Sequence, residues 1–120
     1  MPRAQDLIAT SYQRFIAEVP ALDKLKVVVR LELRGRGDVQ IFRVQLPGPE
    51  VTKGEPDDAR LDISLPRSHF NELAIDGQLK HWREAYEHGD VKIGGDPSVM
   101  KLVGTVIERH EARARLRKAR

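Results

Sequence analysis

Across residues 25–34 the side chains alternate between two sets. Leu25, Val27, Val29, Leu31 and Leu33 make one set; Lys26, Val28, Arg30, Glu32 and Arg34 make the other. A period of two belongs to an extended strand with one face buried and one in water, because a helix would scatter the same leucines and valines around its axis. One strand cannot bury an apolar face alone, so the rest of the chain must supply partner strands and a covering layer. Gly35-Arg36-Gly37-Asp38 follows at once and predicts a hairpin turn, since glycine tolerates the positive φ that tight turns require.

The remaining periods fill in that scheme. Ala4, Ile8, Tyr12, Phe15, Ile16 and Val19 recur at helical spacing and predict an N-terminal helix of about four turns, stopped by Pro20. The strand returning from the hairpin covers residues 39–46. There Val39 and Ile41 share one phase while Phe42, Val44 and Leu46 share the other, which calls for a bulge near Ile41-Phe42 or burial on both faces. A short edge strand is expected at residues 50–53, between Pro47-Gly48-Pro49 and a turn over residues 54–58. Ala59, Leu61, Ile63 and Leu65 mark a fourth strand. Beyond Pro66, Phe70, Leu73 and Ala74 mark a helix ended by Gly77. Residues 78–88 predict a second short helix with Leu79, Trp82 and Tyr86 in one stripe, and residues 90–94 a short strand. Asp96 is placed to cap a last helix that starts at Pro97 and carries Val99, Leu102, Val103, Val106, Ile107 and His110 on one side. The fold class is α+β: a mostly antiparallel sheet with helices packed on one face.

Composition removes several kinds of function. Cysteine is absent, and with it disulfides, thiolate metal sites and thiol nucleophiles. The longest stretch without a charge is residues 7–13, far below the roughly 20 residues of a membrane span. With no charged-then-apolar leader at the start, a soluble cytoplasmic protein is expected, and the 120 residues are expected to form one domain. The net charge of +3 is uneven. Six of the 21 basic residues (Arg109, Arg113, Arg115, Arg117, Lys118 and Arg120) fall in residues 109–120 beside one acid, Glu111; the first 108 residues hold 15 basic and 17 acidic groups. A basic face over the whole domain, the footprint of a nucleic-acid binder, is missing, so no specific nucleic acid is expected as partner.

From Asp58 onward the order of residues resembles the sterol carrier protein 2 family. The likeness rests on the strand Ala59, Leu61, Ile63, Leu65; on Phe70, Leu73 and Gly77 of the next helix; and on Gly89, Val91, Ile93, Gly95 and Asp96, which match a Gly-x-apolar-x-apolar-x-Gly-Asp strand entering a last helix. The earlier helix, hairpin and meander follow the same order. The resemblance implies a five-stranded mixed sheet, helices on one face and an apolar tunnel between the layers. It implies non-catalytic binding of a sterol, fatty acid, acyl-CoA or similar lipid, with no cofactor. The peroxisomal Ser-Lys-Leu ending of some members has no counterpart in Arg-Lys-Ala-Arg. The polar run over residues 78–88, where the family lines part of its cavity, implies a narrower or wetter tunnel here.

On this basis Phe70, Leu73, Leu79, Trp82, Tyr86, Met100 and Val103 are the candidate cavity lining, Met100 being the most adaptable. The bland alternative is that they are simply core between helices and sheet. The basic tail is expected either to meet an anionic membrane or a protein partner, or to stand solvated. A filled interior with an active surface and tail would make the chain an interaction module instead of a carrier. His81 and Glu84 stand at a His-x-x-Glu spacing that a metal could use, with His88 four residues on, but a further ligand from elsewhere would be needed, so solvated helix histidines and no metal are expected. His110 is suited to the helix dipole, Glu111 to an i, i+4 pair with Arg115. Gly94-Gly95 before a helix start lacks the nucleotide-binding spacings, and Arg36-Gly37-Asp38 reads as turn chemistry rather than an adhesion signal. No nucleophile or acid–base pair stands at a recognisable spacing, so no enzyme is expected.

Overall fold

The computed structural model describes residues 3–118, with side chains through Arg117. Helix α1 (Ala4–Glu18) ends where Val19, extended at φ −128° ahead of Pro20, can no longer continue it. A 3-10 turn, Pro20–Lys24, then buries Leu22, and its last bond runs from the Leu25 N–H to the Leu22 carbonyl at 3.1 Å. Leu25 therefore closes the turn instead of opening the strand, and its side chain packs beside Val19, Leu22 and Leu79. Strand β1 begins two residues later.

Strands β1 (Val27–Arg34) and β2 (Val39–Leu46) pair antiparallel in unbroken register from Val27 opposite Leu46 to Arg34 opposite Val39. The expected bulge is absent. Gln40, Phe42, Val44 and Leu46 share the face of Leu33, Leu31, Val29 and Val27, which leaves Val39 and Ile41 on the open side, Val39 more than half exposed. The turn is closed by the Gly35 N–H on the Asp38 carbonyl at 2.9 Å, with Gly37 at φ +77°. β3 (Glu50–Lys53) caps one edge of the sheet by pairing with β2.

β4 (Leu61–Pro66) lies parallel to β1 on its other side, pairing Leu61, Ile63 and Leu65 with Val29, Leu31 and Leu33. It runs directly into α2 (Arg67–Asp76), followed by α3 (Leu79–Glu87), β5 (Lys92–Gly95) and α4 (Pro97–Lys118). β5 pairs antiparallel with β4, and the strand order is β3-β2-β1-β4-β5. The sheet is thus five-stranded and mixed, with a single parallel pair.

All four helices cover one face. Ile8 of α1, Phe70, Leu73 and Ala74 of α2, Ala85 of α3 and Val99 of α4 close over Val27, Val29, Leu31, Leu33, Phe42, Val44, Leu61 and Leu65. The other face is wet and charged. Arg30 bonds Glu55 (2.7 Å), Asp62 (3.1 Å) and Glu32 (3.1 Å), and Arg43 bonds Asp58 (2.7 Å). The Ser64 hydroxyl donates to Glu32 at 2.9 Å and, with Arg30, holds that carboxyl below its ordinary range. Gly77 ends α2 for a reason other than a left-handed cap. Its φ is −68°, and a Cβ there would strike the backbone of Leu73. Among the described residues, no helix is long and apolar enough to cross a membrane.

Candidate ligand site between the sheet and the helices

Trp82 joins α3 to α1 and α2. Its ring lies 5.3 Å from Phe15 of α1, tilted by 52°, and 6.3 Å from Phe70 of α2, edge-on at 65°. α3 is placed there by two ties. The Leu79 N–H at its start donates to the Glu18 carboxylate at 2.8 Å, putting a negative charge at a helix N-terminus. At its far end the Ala85 carbonyl accepts from the N–H groups of Asp90 (2.8 Å) and Val91 (3.2 Å), pressing Ala85 onto the sheet.

The structure brings five of the seven expected lining residues into one cluster. Phe70 and Leu73 are buried in the main core, and Trp82, Met100 and Val103 pack partly buried against that core, Trp82 meeting Phe70 directly. Leu79 joins a neighbouring cluster with Val19 and Leu22, flanked by Phe15, Ile16, Leu25, Val106 and Ile107. Tyr86 is left out, 49% exposed. Ala85 takes the inward place in the last turn of α3, and Tyr86 stands half in solvent beside it. Phe15, Ile16, Val106 and Ile107 were readable as apolar stripes of their own helices; what gathers them is the cluster of Val19, Leu22 and Leu79, which no local pattern encodes.

α4 is anchored at its start. Asp96 accepts from the Ser98 N–H (2.8 Å) and pairs with Arg60 (2.6 Å), and both contacts hold its carboxyl below the ordinary range. Val99 is buried, yet Met100, Val103, Val106 and Ile107 are only half-buried although all four are apolar. Further along, Glu111 pairs with Arg83 of α3 rather than with Arg115. It faces the groove between the helices, where Arg83 reaches it across the interface.

Among the clefts on the surface, one lies on the other side of the sheet and one reaches Leu73 and Ala85 from outside. One, of about 550 Å³, sits on the wet sheet face among Arg30, Glu32, Asp62, Ser64 and Lys92. The other, of about 420 Å³, lies between α2 and α3 and is lined by His69, His81 and His88 with Glu72, Asp76, Glu84 and Asp90. The His81 Nδ1 accepts the Gln78 N–H at 2.9 Å, and among the described residues no group of three His, Asp or Glu is placed to hold a metal ion. Beneath α1, the Tyr12 hydroxyl is buried without a hydrogen-bond partner, and burial with the nearby Asp23 charge pushes it to lose its proton less readily. Of the basic tail, Arg109, Arg113, Arg115 and Arg117 are exposed on α4; only the backbone of Lys118 is described, and Arg120 lies outside the described residues.

No protein-family model matches the sequence, and no curated protein matches it. Solved structures do. Sterol carrier protein 2 like 2 from Aedes aegypti superposes with a TM-score of 0.58 at 17% identity, over 87% of this chain and 99% of that one. The palmitated SCP2L2 of the same organism gives 0.57 at 19%, over 82% and 93%. Sterol carrier protein 2 from Yarrowia lipolytica in its apo form gives 0.54 at 22%, over 81% of each chain. Identities this low speak for architecture alone, and the architecture of this chain is the sterol carrier protein 2 fold.

Proposed function

We propose that the chain is a non-catalytic carrier of an acyl or sterol-like lipid, working in the cytoplasm, with the apolar part of the ligand held under α4 beside Phe70, Trp82, Met100 and Val103. The observation that carries this is the half-burial of α4. Four apolar residues in its first three turns lack full cover, and only Val99 is fully buried among the helix's described side chains. A helix docked this way can be lifted by a ligand at little cost in packing, because few contacts are complete beforehand. One of the structures sharing the fold is palmitated.

The magnitudes are consistent with a working carrier. Fourteen methylenes buried at about 0.8 kcal/mol each contribute roughly 11 kcal/mol. Association costs at least about 4 kcal/mol in lost freedom, which leaves a dissociation constant on the order of 10 μM. Such binding needs no covalent step and no metal.

The test is a titration of delipidated protein with a fluorescent fatty acid, repeated with Met100→Trp. Saturable binding near that affinity, weakened about tenfold or more by filling the space beside Met100, is the expected result. A folded wild-type protein that binds no acyl probe overturns the proposal.

A further inference from the structure

The outer half of α4 carries a feature that ligand enclosure does not use. Leu102, Arg109, Arg113 and Leu116 are spaced seven, four and three residues apart, which places them on one stripe of an α-helix about 21 Å long. Arg117 borders the same stripe. Leu102 is 51% exposed and Leu116 67% exposed, and the three arginines are exposed as well. Among the described residues none of these arginines makes an ion pair; the recorded pairs involve Arg30, Arg43, Arg60, Arg67 and Arg83. Directly opposite the stripe Glu111 bonds Arg83, and on the flank beside it Val99, Val103, Val106 and Ile107 pack toward the body. The leucine–arginine stripe is thus turned outward.

We infer that this stripe docks on an anionic lipid surface, with Arg109, Arg113 and Arg117 at the headgroups and Leu102 and Leu116 entering the interface. Charge complementarity selects the occupant. The first 108 residues have two more acidic than basic groups, so attraction to a polyanion is confined to this end of one helix. A nucleic acid would wrap more surface and meet the acidic body, whereas a flat bilayer can touch the stripe alone. Two large aliphatic side chains bracketing arginines also suit the boundary between headgroups and acyl chains, where the guanidinium can stay hydrated while its stem is covered. Each arginine near a charged bilayer strengthens binding about fivefold, so three together account for roughly a hundredfold. Docking of this kind does not depend on the interior being open.

Vesicles of phosphatidylcholine with 30% phosphatidylserine, and of phosphatidylcholine alone, supply the test in a flotation assay at about 0.1 M salt. The full chain is expected to float with the anionic vesicles only. Arg109→Glu/Arg113→Glu/Arg117→Glu should lose at least tenfold of that binding, and Leu102→Ser/Leu116→Ser a smaller but measurable part. Both variants lie on the surface, and their helical circular dichroism should match the parent. Failure of the parent to float, equal flotation of the arginine variant, or tighter binding to a DNA duplex than to anionic vesicles would each overturn the assignment. The fatty-acid titration reads separately on the same proteins, so loss of membrane docking and loss of ligand binding remain distinguishable.

Discussion

Gly95 and Gly94 are neighbours in β5, and the same substitution should have opposite consequences at the two. Gly95 has φ +118°, a region that costs a side chain about 1–3 kcal/mol. Its missing Cβ would also fall 2.9 Å from the Leu61 Cα and onto the Arg60 carbonyl, so β5 must move away from β4 to admit it. Forced overpacking of this kind costs about 1–3 kcal/mol more. Gly95→Ala should therefore destabilise the protein by about 3 kcal/mol, or lower the melting temperature by roughly 12 °C for a chain of this size. Gly94 has no positive φ, and a Cβ there meets nothing within 4 Å. Gly94→Ala should be neutral or gain up to about 1 kcal/mol, since alanine restricts the unfolded chain. Urea denaturation of the two variants beside the parent, fitted with a common slope, measures both. A Gly95→Ala loss below about 1 kcal/mol, or one no larger than that of Gly94→Ala, would refute the close approach of β5 to β4. The junction matters for the site, because the residue after Gly95 is the cap of α4, and the Asp96 N–H donates to the Arg60 carbonyl at 2.8 Å.

Two further outcomes follow from the packing and the charges. Tyr86→Ser should change stability by less than about 0.5 kcal/mol, whereas Phe70→Ala should cost about 3–5 kcal/mol; both are read from chemical denaturation. The carboxyls of Glu32, Asp58 and Asp96 are all held below their ordinary values of 4.5, 3.8 and 3.8. Their folded forms bind protons less readily than the unfolded chain, so their contribution is present above those values and lost as pH falls below them. Thermal melts from pH 7 to pH 2.5 should show the decline beginning near pH 4.5, with a shallower acid limb in Asp96→Asn.

The strands and helices could be read from periodicity because each buries one face against one neighbour. Val27 to Leu33 and Phe70-Leu73-Ala74 kept the faces their spacing assigned. Failures arose where a residue's neighbour is distant in sequence. Val39 and Ile41 left a bulge or burial on both faces open, and the uninterrupted register placed them on the open face without a bulge. Tyr86 sits on the same helical stripe as Leu79 and Trp82, yet α3 is rolled so that Ala85 meets the sheet. Glu111 had a plausible partner four residues on and took Arg83 from another helix instead. The 3-10 turn at Pro20–Lys24 has too few residues to show a period at all. Phe70, Leu73, Trp82, Met100 and Val103, gathered as candidate lining through the resemblance, do share one core cluster; the aromatic contact of Phe15 with Trp82 joins helices far apart in the chain.

The one parallel pair in the sheet separates the chain's assembly into two stages. Val29 meets Leu61 only after β2, β3 and their turns have been made, a loop of 32 residues, whereas β1 and β2 meet across a four-residue turn. Short loops close at less entropic cost than long ones, so the three N-terminal strands can form a meander by themselves. Until β4 arrives with α2 behind it, the leucines and valines of β1 have no cover from Phe70, Leu73 or Ala74. A chain emerging N-terminus first thus has only α1 to cover its apolar sheet face until the segment that completes the cover has been synthesised.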